Sequence, residues 1–142
     1  MTKLSNKTEQ ILETLSARYP VVKTQLEHQS AFQLLIATIM SAQCTDNQVN
    51  RVTKKLFEQY PAAEDLAKAP LEKIKSIIFS TGFYNNKAKN IKACAQALLE
   101  RHSGQVPDDI ALLVKLPGVG RKTANVVLSS IFGVDAIVVD TH

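Results

Sequence analysis

The chain is poor in the residues and runs that would mark several classes of protein. Only two of its 142 residues are cysteines, Cys44 and Cys94. They stand about fifty residues apart, which makes neither a metal-ligand cluster nor a disulfide framework. Each is expected to act as a small buried hydrophobe. The three histidines, His28, His102 and His142, show no ligand spacing either, so no metal site is expected. No apolar run approaches the roughly 20 residues that cross a bilayer. The polar stretch from Met1 to Gln10 lacks the apolar core of a secretory signal, so a cytoplasmic protein with no membrane partner is expected. Strand signals are almost missing. Ala136-Ile137-Val138-Val139 is β-branched enough for an extended segment but has no partner strand in sight. There is no low-complexity tract and no repeat of fixed period.

What is present is helical periodicity at a length that supports one domain with a real core. The apolar fraction is 45% and the net charge is +4, which favours an anionic partner such as nucleic acid. Ile11, Leu12 and Leu15 share one face of a first helix that ends at Tyr19-Pro20. Ser30 with Gln33 has the form of a capping box and opens a second helix. That helix, with Phe32, Leu35, Ile36, Ile39 and Met40, is apolar on most sides and is expected at the centre of the domain. Thr45 with Gln48 repeats the capping pattern ahead of a third helix, which stops at Tyr60-Pro61. Short helices are predicted around Ala63–Ala67 and Leu71–Phe79. A longer one is predicted over Asn86–His102, with Ile91, Cys94, Ala95, Leu98 and Leu99 inward and Lys87, Lys89 and Lys92 largely outward. Gly104 ends it. A short helix from Asp108 or Asp109 to Leu113 and a last one from near Gly120 to Phe132 complete an all-α pattern with short connections.

The most informative stretch is Leu116-Pro117-Gly118-Val119-Gly120-Arg121-Lys122-Thr123-Ala124-Asn125, between two predicted helices. Two glycines around one apolar residue allow a tight turn and close approach of a ligand to the backbone. Val119 can tuck into the core and pin the turn. The amides that open the next helix then point outward at the positive end of its dipole, an arrangement that holds phosphate without reading any base. Gly118, Val119, Gly120 and Arg121 are therefore candidate DNA-binding residues. A plain helix–turn–helix corner is the bland alternative. The last helix spans about 18 Å at 1.5 Å per residue, and Gly133 to Asp140 reaches at most about 26 Å. The chain can thus turn at Gly133 and bring Asp140 back beside Lys122.

This stretch is a helix-hairpin-helix motif. Extended to Leu128 and followed by Val139-Asp140-Thr141-His142, it closely resembles the endonuclease III family of DNA glycosylase/AP lyases. Ser41-Ala42-Gln43-Cys44-Thr45-Asp46 and Gly82-Phe83-Tyr84-Asn85-Asn86-Lys87-Ala88 resemble it as well. The resemblance implies a six-helix barrel-like domain carrying the hairpin. It implies base excision repair of oxidised pyrimidines in double-stranded DNA, by a monomer in the nucleoid-associated cytoplasm. Lys122 is implied as the nucleophile that attacks C1′ of a flipped nucleotide, and Asp140 as the catalytic carboxylate. Gln43 and Phe83 fall where the family inserts side chains into the gap left by the flipped base. Phe83 packing on its own domain, and Asp46 as a first-turn acid of the third helix, are the structural alternatives.

The family also carries a [4Fe–4S] cluster on four C-terminal cysteines, a set this chain does not hold, so no cofactor is assigned to it. The chain is accordingly expected to be C-terminally truncated. Residues 1–20 would be an N-terminal helix of an incomplete second domain, 21–135 the barrel with the hairpin at about 113–132, and 136–142 the start of the missing part. A non-catalytic helix-hairpin-helix module, a monofunctional glycosylase lacking the lysine, and an inactive fragment are the rival readings. Lys122 speaks against the first two.

Overall fold

The computed structural model describes residues 25–133. The predicted first helix over Ile11–Tyr19, the β-branched run 136–139, Asp140 and His142 lie outside the described residues. Within them the chain is all-α. Its order is α1 (Ala31–Met40), α2 (Asp46–Gln59), α3 (Ala63–Lys68), α4 (Leu71–Ile78), a 3-10 turn (Phe79–Thr81), α5 (Tyr84–His102), α6 (Ile110–Leu113) and α7 (Arg121–Ile131).

The sequence explains why α1 is central. Every residue from Phe32 to Met40 is buried, and the helix packs against α2, α5 and α7. An α-helix apolar all round has no face to offer water, so its neighbours must cover it. Its start is fixed by Ser30, whose hydroxyl accepts from the Gln33 amide at 3.2 Å. The other half of the expected capping box is shifted by one residue. The side-chain Oε1 of Gln33 accepts from the Gln29 amide (3.0 Å), and its NH₂ reaches the Pro61 carbonyl (3.3 Å), tying α1 to the turn between α2 and α3. Thr45 caps α2 through the Gln48 amide (3.2 Å), but the Gln48 side chain leaves the box to bond Ser80 Oγ at 2.6 Å. For Gln48 a tertiary partner outcompetes the local one.

The long helix α5 starts two residues earlier than predicted, at Tyr84, and packs on α1, α3 and α4. Its polar side chains serve the neighbouring helix. Lys92 Nζ and Gln96 Nε2 donate to the carbonyls of Ala69 and Ala67 at the end of α3. These are acceptors that an α-helix leaves open, and a cation there complements the negative end of the dipole. Ser103, in a left-handed conformation (φ 54°), ends α5 one residue ahead of Gly104.

Both cysteines are free thiols. Cys94 has no exposed surface, and burial pushes its thiol up to about 12. Thiolate is the reactive form, so Cys94 is expected to resist iodoacetamide at pH 8 while half-buried Cys44 is alkylated first. Peptide mass spectrometry before and after denaturation reads this directly. Equal labelling of both in the native protein would contradict the packing of α5.

Candidate functional site

The hairpin is built from α6, a turn and α7, which pack on one another. Asp109 caps α6 with a 2.8 Å bond from the Ala111 amide to its carboxylate. Leu113, Leu116 and Val119 are buried, and the Val119 amide donates to the Leu116 carbonyl at 3.1 Å. Val119 therefore pins the turn as its apolar character predicts.

The two glycines around it do different work. Gly118 has φ +76°, and a Cβ there would lie 2.9 Å from Asn90 Cβ and 3.2 Å from Ile39 Cγ2. It must be glycine both for its backbone and for close packing on α5 and α1. Gly120 has φ −94°, ψ −179°, which any residue adopts, and a Cβ there would meet nothing within 4 Å. It provides no side-chain cap for α7, whose first intrahelical bond runs from the Ala124 amide to the Gly120 carbonyl (3.0 Å). First-turn amides of an α-helix point out along its axis. A bare glycine in front of them leaves that approach open.

Because Gly118 seats the turn against α1 and α5, exposed Lys122 comes to the loop that follows α1. Lys122 lines a cleft of about 430 Å³ with Gln43, Asp46, Ser41, Gly118 and Thr123. A second cleft of about 230 Å³ is lined by Gln43, Phe83, Asn86, Lys87, Asn90 and Gly118. Gln43 and Gly118 belong to both. The structure thus brings Lys122, Gln43, Phe83 and Gly118 together from three separate stretches of chain. Gly120 and Arg121 stand exposed at the start of α7, outside both cleft linings. Asp140 lies outside the described residues.

Among the described residues, three non-glycines have positive φ: Gln43 (55°), Phe83 (47°) and Ser103 (54°). A left-handed backbone costs a residue with a Cβ about 1–2 kcal/mol, and such strain gathers at functional positions. Ser103 is a helix end. Gln43 and Phe83 are the residues that share the smaller cleft, and Phe83 is 66% exposed. Periodicity carries no signal of backbone strain, so the left-handed conformations of these two residues, unlike the residues themselves, were invisible in the sequence. Asp46 and Ser41, like Asn86 and Asn90, join the cleft walls through tertiary packing, and Asn90 lies in no motif the sequence offered.

Lys87 corrects the sequence reading. It was predicted to point largely outward with Lys89 and Lys92, but it is 5% exposed and its Nζ donates to the Thr81 carbonyl at 2.9 Å. Burial pulls its ammonium below the usual lysine range, with Cys44 opposing that shift. Lys92 is half-buried, and only Lys89 is exposed. Charge at helical spacing told nothing of the carbonyl waiting at the end of the 3-10 turn.

An all-α domain presenting a glycine turn ahead of an open helix N-terminus, beside a cleft that holds a lysine, defines the helix-hairpin-helix class of nucleic-acid-binding proteins. The model described as HhH-GPD superfamily base excision DNA repair protein matches residues 36–142, and the chain belongs to that superfamily. It is 51% identical to endonuclease III of Bacillus subtilis over 131 residues, covering 92% of this chain and 60% of that protein. It is 47% identical to endonuclease III of Synechocystis over 143 residues, covering 100% and 65%. The chain therefore spans somewhat less than two thirds of these relatives. A non-covalent endonuclease III–DNA complex superposes with a TM-score of 0.82 at 48% identity, covering all of this chain and 65% of that one. A trapped endonuclease III–DNA covalent intermediate gives 0.83, also at 48% identity, covering 100% and 66%. A thermostable thymine-DNA glycosylase shares the fold alone, with a TM-score of 0.74 at 24% identity, covering 93% of this chain and 62% of that one. Among the described residues no helix is long and apolar enough to cross a membrane.

Proposed function

We propose that the protein removes oxidised pyrimidines from double-stranded DNA as a bifunctional glycosylase/AP lyase, working as a monomer in the nucleoid-associated cytoplasm. The observation that carries the reading is the position of Lys122. It stands in the first turn of α7, behind Gly120, which gives that helix no side-chain cap, and lines a cleft whose volume of about 430 Å³ suits a small ligand.

In this reading the backbone at Gly118–Gly120 holds a phosphate and the target nucleotide leaves the stack for the cleft. Neutral Lys122 Nζ attacks C1′ as the C1′–N bond to the base breaks, and the base departs with that electron pair and takes up a proton. Loss of a proton from nitrogen and opening of the sugar give the Schiff base. Removal of a C2′ proton then breaks the C3′–O bond and cuts the strand 3′ to the lesion. Asp140 activates the amine and stabilises the positive charge at the sugar. Gln43 and Phe83 fill the gap in the duplex. The chain's two cysteines do not fit a cluster held by four thiolates, and no step here is derived through one.

Borohydride reduction of the 142-residue protein on a duplex with one abasic site tests the reading. A covalent protein–DNA adduct stable to denaturation is expected. Binding to the abasic site without any adduct would reduce the protein to a DNA-binding module.

A further inference from the structure

Lys87 is a buried amine that the proposed chemistry does not use. Its place in the chain is unusual. The Lys87 amide donates to the Phe83 carbonyl at 3.0 Å, while its side chain runs back to the Thr81 carbonyl. One residue therefore grips the chain on both sides of Gly82-Phe83. Gly82 takes its positive φ of 72° freely, but Phe83 follows at 47°, a left-handed conformation that a residue with a Cβ avoids by itself. Thr81 is anchored in turn by its hydroxyl, which donates to the Ile78 carbonyl at 2.7 Å. Lys87, Gln43 and Phe83 line the same cleft.

We propose that Lys87 is a positioning residue. By holding the Thr81 carbonyl from the first turn of α5, it fixes Phe83, on the cleft it shares with Gln43, in the strained conformation in which it enters the gap of a duplex. A Lys side chain suits this task because its amine can donate several bonds at once from a long stem, and burial makes the bond to a carbonyl hard to exchange for water. The inference rests on the functional reading above, which gives Gln43 and Phe83 their place in DNA.

The test uses the 142-residue protein and an uncleavable tetrahydrofuran abasic duplex with 2-aminopurine opposite the gap. That fluorophore brightens when its stacking is disturbed. Wild type should bind this duplex in preference to an intact one and raise the fluorescence, and Phe83→Ala should lose most of both. Lys87→Met should lower the affinity ratio, abasic over intact, about tenfold and suppress the fluorescence rise. Lys87→Arg, which keeps a buried donor, should restore part of each. Combined with Phe83→Ala, Lys87→Met should add little, since both act through one loop. A merely structural role would lower the melting temperature and weaken both duplexes alike, leaving the ratio and the fluorescence response intact.

If Lys87→Met does not fold, Lys87→Gln is read by the same two quantities. A folded Lys87 variant with the wild-type ratio and fluorescence, measured beside a defective Phe83→Ala, overturns the assignment and spares the functional reading. A wild-type protein that does not prefer the abasic duplex overturns both.

Discussion

Lys122→Ala is expected to abolish the borohydride-trapped adduct and to reduce strand cleavage at an abasic site by on the order of a thousandfold or more. The size of the effect follows from the role: without a nucleophilic amine there is no Schiff base to reduce and no path to β-elimination through the protein. Folding should be nearly unaffected. Lys122 is exposed in the first turn of α7, and alanine is at least as good a helix former. Duplex affinity should fall only modestly, by the loss of one cationic contact. Nor can the amine at the neighbouring cleft step in. Lys87 is buried at the neighbouring cleft with its Nζ committed to the Thr81 carbonyl. Gel analysis of reduced complexes and circular dichroism of the same samples separate these claims. Equal trapping by wild type and variant would place the nucleophile elsewhere.

The two hairpin glycines should respond in opposite ways, which makes them the second large effect. Gly120→Asp is expected to leave the fold intact or to stabilise it by about 0.5–1 kcal/mol. Aspartate is a favoured N-cap, and its charge suits the positive end of the α7 dipole. The backbone there is already in the extended region, with open space around the missing Cβ. The same carboxylate would occupy the approach meant for a phosphate, so affinity for every duplex should fall alike, by about 10–100-fold, or roughly 1.4–2.8 kcal/mol. Gly118→Ala should instead destabilise the protein by about 1–3 kcal/mol. It demands φ +76° of a residue with a Cβ and drives that Cβ to 2.9 Å from Asn90. Thermal melts and salt titrations of DNA affinity check both. The wild-type affinity should fall steeply with salt as counterion release requires. A Gly120→Asp protein that binds as wild type would remove the phosphate from the N-terminus of α7.

Much of this was legible in the chain because it rests on local physics. The all-α class, central α1, the Ser30, Thr45 and Asp109 caps, the stops at Tyr60 and near Gly104, and the hairpin with buried Val119 follow from apolar spacing, capping chemistry and turn residues. These are preferences of a few residues for their own neighbours, and packing reinforced rather than reversed them. Lys122 could likewise be placed at the start of a helix without knowing what lay opposite.

Tertiary structure alone decided what depends on a partner from another segment. Gln48 abandons its capping box for Ser80, and Gln33 adds a bond to the Pro61 carbonyl. Lys87 turns inward to a carbonyl that only the 3-10 turn presents. Gly118 and Gly120 look interchangeable in sequence, yet the steric demand comes from Asn90 and Ile39 and falls on Gly118 alone. The left-handed backbones of Gln43 and Phe83 are conformations such residues avoid by themselves, imposed by the rest of the fold. The sequence by itself determined the helices and the turn of the hairpin, because those energies are short-ranged. Which side chains meet across the cleft was decided by packing among α1, α5 and α7, where contact energies summed over distant residues outweigh any local preference.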